Sequence, residues 1–168
     1  RFFRAHRDAG SLAEENDILV CVENIEIERV KPVVNFVKAV DHTRVRMTLD
    51  TGHAYLAARH FGFNFLEAVE SVKPLLGHVH LSDNVGRFDL LRTSDRAAYD
   101  AQPMGLRRAL GRGDIHLPPF FGSIPFDEVF RLLHGYRGVY LCEYTGQDFE
   151  PFGAQVQHEV RRGLERFS

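Results

Sequence analysis

The sequence predicts an α/β protein in which four parallel strands, each followed by a helix, form half of an eight-fold β/α barrel. Three observations predict it. Short apolar runs alternate with helical patterns along most of the 168 residues. Four of the runs end on an acid or a histidine: Glu23 in ILVCVEN, Asp50 in VRMTLD, His80 in GHVHLSD and Glu143 in GVYLCEY. Between neighbouring runs lies enough chain for a helix and a return to the sheet, the connection that parallel strands require.

The elements follow in order. Residues 1–16 (RFFRAHRDAGSLAEEN) read as a helix already under way, with Gly10 a weak spot. Residues 17–23 are the first strand, and 32–40 (PVVNFVKAV) a helix. Residues 45–50 are the second strand, followed by a short helix over 53–60. NFLEAVESV (64–72) is a helix capped by Asn64 and closed by Pro74. Residues 76–82 are the third strand. A helix over 124–135 has Pro125 near its first turn and Gly135 past its end. Residues 138–143 are the fourth strand, and 151–167 the last helix. Residues 83–122 break the alternation, being rich in Arg, Asp, Gly and Pro and too long for an ordinary connection. A loop of that kind after a barrel strand is expected to line the active site.

Side-chain direction favours the half-barrel over an open four-stranded sheet. In VRMTLD, Val45, Met47 and Leu49 face the helices, while Arg46, Thr48 and Asp50 face the interior. Val79 and Leu81 point outward, His78 and His80 inward. An open sheet would leave two unpaired edges and an acid-bearing inner face. We therefore read residues 1–168 as a single partial domain. The opening on Arg1, without an initiator methionine, is expected of a fragment or the second half of a longer domain.

Composition sets limits on function. The chain is 44% hydrophobic with 14 Phe, as a globular core requires, and no apolar run reaches bilayer length. A net charge of −2 gives no general pull toward nucleic acid or anionic lipid. Cys21 and Cys142 lie inside strands and read as reduced, buried thiols of a cytoplasmic protein. Neither has an obvious base beside it, which argues against nucleophilic catalysis.

Glu23, Asp50, His80 and Glu143 offer oxygen and imidazole donors at one barrel mouth. Such a set suits Mn²⁺ or Mg²⁺, and Zn²⁺ or Co²⁺ also accept it. Three close carboxylates repel one another, so a bound cation is what holds them ionised together. A second group, His53 with Asp114 and His116, could hold another metal or grip a phosphate or hydroxyl. Its plainer reading is a loop clamp of His53 on Asp114. His78, one layer deeper, reads as a hydrogen-bonded core or supporting histidine. Arg87 reads equally as an anion-binding substrate residue or a surface salt bridge. The remaining histidines (His6, His42, His60, His134 and His158) fall to surface or packing.

These motifs resemble those of the xylose isomerase-like TIM-barrel superfamily, which holds sugar phosphate isomerases and epimerases and the endonuclease IV type of apurinic-site nuclease. The resemblance spans essentially the whole chain as strands five to eight. CVENI resembles the fifth-strand Glu motif, LDTGHAY the sixth-strand Asp-x-x-His motif, HVHLSD the seventh-strand His-x-x-Asp motif and YLCEY the eighth-strand Glu. DIHLPPFFGSIPF resembles the D-x-H segment before the last crossover helix. The resemblance implies Glu23, Asp50, His80 and Glu143 as shared metal ligands. It implies Glu23 and Glu143 as the catalytic pair that moves a proton through an enediolate of a sugar or sugar phosphate. In the nuclease branch His53, Asp114 and His116 would bind a further zinc. The long separation of His80 from Asp114 and the lack of basic character argue against that branch and against a nucleic-acid partner. The expected partners are a small-molecule sugar, no membrane, and a missing N-terminal half-barrel or a second copy of the chain. A third expectation is that the half-barrel alone is inactive.

Overall fold

A computed structural model describes residues 2–144 and 146–167; the sequence readings that touch Arg1, Thr145 and Ser168 lie outside these. The elements are α1 (Phe2–Glu15), β1 (Val20–Glu23), α2 (Val30–Val40), β2 (Val45–Asp50), α3 (Thr51–Phe61), α4 (Phe65–Val72) and β3 (Leu76–Leu81). After these come α5 (Leu91–Ser94), α6 (Arg96–Asp100), α7 (Met104–Leu110), α8 (Phe126–Leu132), β4 (Val139–Cys142), α9 (Gly146–Phe149) and α10 (Gly153–Arg166). The four strands form one parallel sheet in the order β1-β2-β3-β4. Consecutive order with helical returns is the arrangement of an α/β half-barrel.

Helices cover one face. Met47, Leu49, Val79 and Leu81 are fully buried against Val33, Val69, Phe126, Phe130 and Val156. In β4, Tyr140 and Cys142 pack on that core, which turns Val139 and Leu141 to the other face, where they stay 57% and 45% exposed. The outer edges of β1 and β4 thus have no strand partner among the described residues, and the inner face lies open at β4.

Several sequence boundaries shift for local reasons. The first strand begins at Val20 rather than residue 17, because Asp17 takes a left-handed conformation (φ 52°) and Ile18 and Leu19 stay exposed. The helix read at 53–60 starts directly after Asp50, whose side chain caps it by accepting from the His53 amide. The helix read at 124–135 occupies only Phe126–Leu132, with Pro125 as its N-cap, and the one read at 151–167 spans Gly153–Arg166 after a 3₁₀ turn. Gly10 does not weaken α1. A side chain there would come within 2.7 Å of the His42 ring, so glycine permits the close crossing.

A bulge in β3 aims the site. Met47 pairs with Leu76 and Thr48 with His78, leaving Gly77 as the extra residue. The bulge resets the alternation, so Leu76, Val79 and Leu81 all reach the core while His78 and His80 face inward. Residues 83–122 carry α5, α6 and α7 rather than an unstructured loop. Their ends are tied by Asp83, which is 1% exposed and accepts from the amides of Asn84, Gly122 and Ile124. Asp83 also pairs with Leu117 through both backbone groups, at 2.8 and 3.1 Å.

Candidate metal centre

Glu23 ends β1, Asp50 ends β2, His80 is the penultimate residue of β3, and Glu143 follows β4, its amide donating to Leu81 O at 3.0 Å. Parallel register carries all four to one mouth. One donor atom from each lies within 4.8 Å of the others. His80 Nδ1 is the hub, hydrogen-bonded to Glu23 Oε1 at 3.1 Å and lying 2.9 Å from Glu143 Oε2. Glu143 Oε2 is nonetheless buried without a hydrogen bond among the described residues.

Asp50 is held from every side. It is fully buried, its Oδ1 accepts from the His53 amide at 2.7 Å and from Ser82 Oγ at 3.1 Å, and Asn24 bonds its backbone at both N and O. Burial pushes its carboxyl up to about 6, against the pull of the His53 charge. A divalent cation at this mouth would add to the pull that holds the carboxylate ionised. With the orphaned Glu143 oxygen and an all-oxygen-and-imidazole donor set, these residues fit a divalent cation.

The second group also converges: His53, Asp114 and His116 each bring a donor atom within 4.8 Å of the other two. The clamp expected between His53 and Asp114 takes a different form. Asp114 Oδ2 pairs with His116 Nε2 at 2.9 Å, and His53 Nδ1 faces Glu26 Oε2 at 3.2 Å. Sequence reasoning missed Glu26, which is 2% exposed and also bound by Arg92 from the 83–122 segment. Burial would raise the Glu26 carboxyl, but His53 and Arg92 outweigh it and hold it at about 2. Burial alone would lower His53, yet Asp50, Glu26 and Asp114 carry it up to about 10. Asp114 lifts His116 to about 9 against the effect of burial. Without a metal, then, protonated imidazoles supply the positive charge among these acids.

The other sequence candidates fall out plainly. His78 stands edge-on to His80 at 5.0 Å, and its Nε2 is buried without the expected hydrogen bond among the described residues. Arg87 makes no salt bridge among the described residues; its Nη1 donates to Leu110 O at 3.1 Å. Cys21 and Cys142 are free thiols, both raised chiefly by burial. No described helix is long and apolar enough to cross a membrane.

Residues 1–167 match the family model described as xylose isomerase-like TIM barrel. No protein of curated function matches at a significant level. Among solved structures, a xylose isomerase-like TIM barrel protein from Mycobacterium smegmatis in complex with magnesium aligns with TM-score 0.67 and 24% identity over 96% of this chain and 49% of that one. A D-tagatose 3-epimerase-like protein aligns with TM-score 0.63 and 22% identity, over 96% and 55%. A 3-keto-D-glucoside 4-epimerase from E. coli aligns with TM-score 0.62 and 18% identity, over 95% and 52%. At these identities the likeness is one of fold, and the chain spans about half the length of each of those structures.

Proposed function

The chain belongs to the xylose isomerase-like TIM barrel family, and from that premise we propose that it carries the metal centre and both proton-transferring carboxylates of a sugar (phosphate) isomerase or epimerase. Its strands then stand as the fifth to eighth of a closed barrel. The observation that carries the reading is the meeting of Glu23, Asp50, His80 and Glu143 donor atoms within 4.8 Å at one mouth.

Mn²⁺ or Mg²⁺ is the preferred ion, and when bound it would polarise a substrate carbonyl and stabilise the enediolate. The chain's own residues do the rest. Glu23 and Glu143 keep 35% and 37% of their side chains exposed at the mouth, where a small substrate can reach them. One takes the proton from the carbon next to the carbonyl, and the other returns a proton at the neighbouring carbon or the opposite face. Asp50, buried and doubly hydrogen-bonded, is held in place to serve as a ligand rather than to carry a proton. The 83–122 segment walls the mouth on the Asp114 side.

A second reading, an endonuclease IV-type zinc phosphodiesterase, is favoured by one observation, the convergence of His53, Asp114 and His116. Metal content separates the two. One Mn²⁺- or Mg²⁺-type ion per chain is expected for the isomerase, and two or three zinc ions for the nuclease. The chemical test is deuterium uptake from D₂O at the carbon alpha to the carbonyl across a panel of ketoses with the metal-loaded chain, supplemented by the remaining half-barrel if the chain alone is inert. Glu23→Gln is expected to abolish exchange. Full metal content together with full exchange in that variant would overturn the assignment of Glu23.

A further inference from the structure

We propose that Asn24 and Thr51 are positioning residues of the metal centre, each extending the parallel ladder past the end of its strand and so fixing the spacing of Glu23, Asp50 and His80. This rests on the metal-centre reading and adds to it two residues outside the donor set.

The three strand junctions at the mouth differ. Between β3 and β4 the ladder continues on backbone alone, through Glu143 N and Leu81 O. The other two lose their backbone partners. After Glu23 the chain leaves the sheet for a turn closed by Glu28 N on Ile25 O, the turn that carries Glu26 to His53. After Asp50 it enters α3 with no intervening residue. Each departure takes away the groups that the neighbouring strand would otherwise meet, and a buried backbone donor or acceptor left unpaired lowers stability.

Side chains take their place. Asn24 is buried; its Nδ2 donates to Asp50 O at 3.0 Å and its Oδ1 accepts from Asp50 N at 3.1 Å. A carboxamide offers both a donor and an acceptor, as a peptide group does, so it stands in for the missing β1 residue. Thr51, also buried, does the same toward β3. Its Oγ1 donates to Ser82 O at 2.7 Å and accepts from Ser82 N at 3.1 Å. Each side chain thus captures both backbone groups of one residue at the next strand end. One captured residue is the ligand Asp50. The other, Ser82, lies two past the ligand His80, and its hydroxyl reaches back to Asp50 Oδ1 at 3.1 Å. The clasp therefore spans β1, β2 and β3, and it limits the drift of three ligands where a tolerance of about 0.5 Å decides function.

The test is a calorimetric Mn²⁺ titration of the full chain at a temperature where every variant is folded, with the visible absorption of bound Co²⁺ as a second readout. Thr51→Val keeps the shape and loses the hydroxyl. It should weaken Mn²⁺ binding about tenfold or more and change the position or intensity of the Co²⁺ bands. Thr51→Ser restores the hydroxyl and should bind Mn²⁺ as the parent does. Asn24→Ala should lose about as much as Thr51→Val, and Asn24→Ser, too short to bridge both groups, replaces it if that variant does not fold. Val69→Ala in α4 opens the core and should lower the unfolding midpoint while leaving Mn²⁺ affinity and the Co²⁺ bands unchanged. Parent-like affinity and bands in Thr51→Val or in the Asn24 variant would overturn the role of that residue. No recovery in Thr51→Ser, or an equal loss of affinity in Val69→Ala, would overturn the proposal. A parent chain that binds no Mn²⁺ defeats the metal centre itself, whereas a parent that binds it with indifferent variants defeats the positioning roles alone.

Discussion

Glu26 organises the site from behind. Its carboxylate is gripped by Arg92 on one side and faces the protonated His53 on the other, joining the 83–122 segment to the helix that starts at Asp50. Removing one member of a buried charge pair leaves the other uncompensated, so Glu26→Gln should cost about 3 kcal/mol in urea unfolding. Glu26→Gln with Arg92→Met removes both charges and should recover much of that loss; a double variant no better than the single would refute the pairing. Asp50→Asn should behave oppositely. It keeps the shape of the helix cap while deleting a fully buried charge, so metal-free stability should hold or rise. Its Mn²⁺ affinity should fall at least about a hundredfold, as titration would measure. The convergence of Glu23, Asp50, His80 and Glu143 was legible because each lies at the end of an apolar run, where strand geometry leaves a side chain one place to go. Glu26 and Arg92 were not, since they are 66 residues apart and meet only through the fold of the inserted segment.

The β3 bulge shows what periodicity can and cannot give at the level of an element. Strand β2 runs over the very residues 45–50 that alternation marked, because it lies inside the sheet with a paired neighbour on each side. The inward set of β3 was also legible from the polar identity of His78 and His80. The extra residue between Leu76 and His78 was not, because a glycine in a strand pattern has several meanings. The three short helices of the 83–122 segment were illegible for a related reason. At four, five and seven residues they are too short to show a helical period, and tertiary contacts hold them. Gly77 yields a prediction at this level. A methyl group there would stand 2.7 Å from both Arg46 Cβ and Cys21 Sγ on the two preceding strands. Gly77→Ala should therefore cost about 1–3 kcal/mol by thermal or urea unfolding. Because the same strand carries His80, Mn²⁺ affinity should drop with it. A variant as stable as the parent, with unchanged metal binding, would show that the bulge does not set the aim of His80.

Among the described residues the helices cover one face of the sheet, while the other lies open at Val139 and Leu141 of β4. A parallel sheet buried on one side only is an uncommon resting state, since its free edges offer unpaired amides and carbonyls to any strand that approaches. Here the inner face presents Val139 and Leu141 beside the acids of the metal centre, and the outer edges of β1 and β4 run in the same direction. A twofold axis parallel to the strands would set β4 of one copy beside β1 of another and close an all-parallel ring, whereas stacking of faces would bury the carboxylates of both copies against each other. The chain on its own should accordingly associate. Its sedimentation coefficient should rise between about 5 and 200 µM, and its melting temperature should rise with it, because mass action stabilises whatever only the assembled form buries. Leu141→Lys, with or without Val139→Lys, introduces charge where a second sheet edge would close and should shift the population to monomer without disturbing the helix-covered core. A monomer at every concentration, melting cooperatively and unaffected by Leu141→Lys, would mean that the bare face is tolerated by solvent, and the half-barrel would then be a self-sufficient fold.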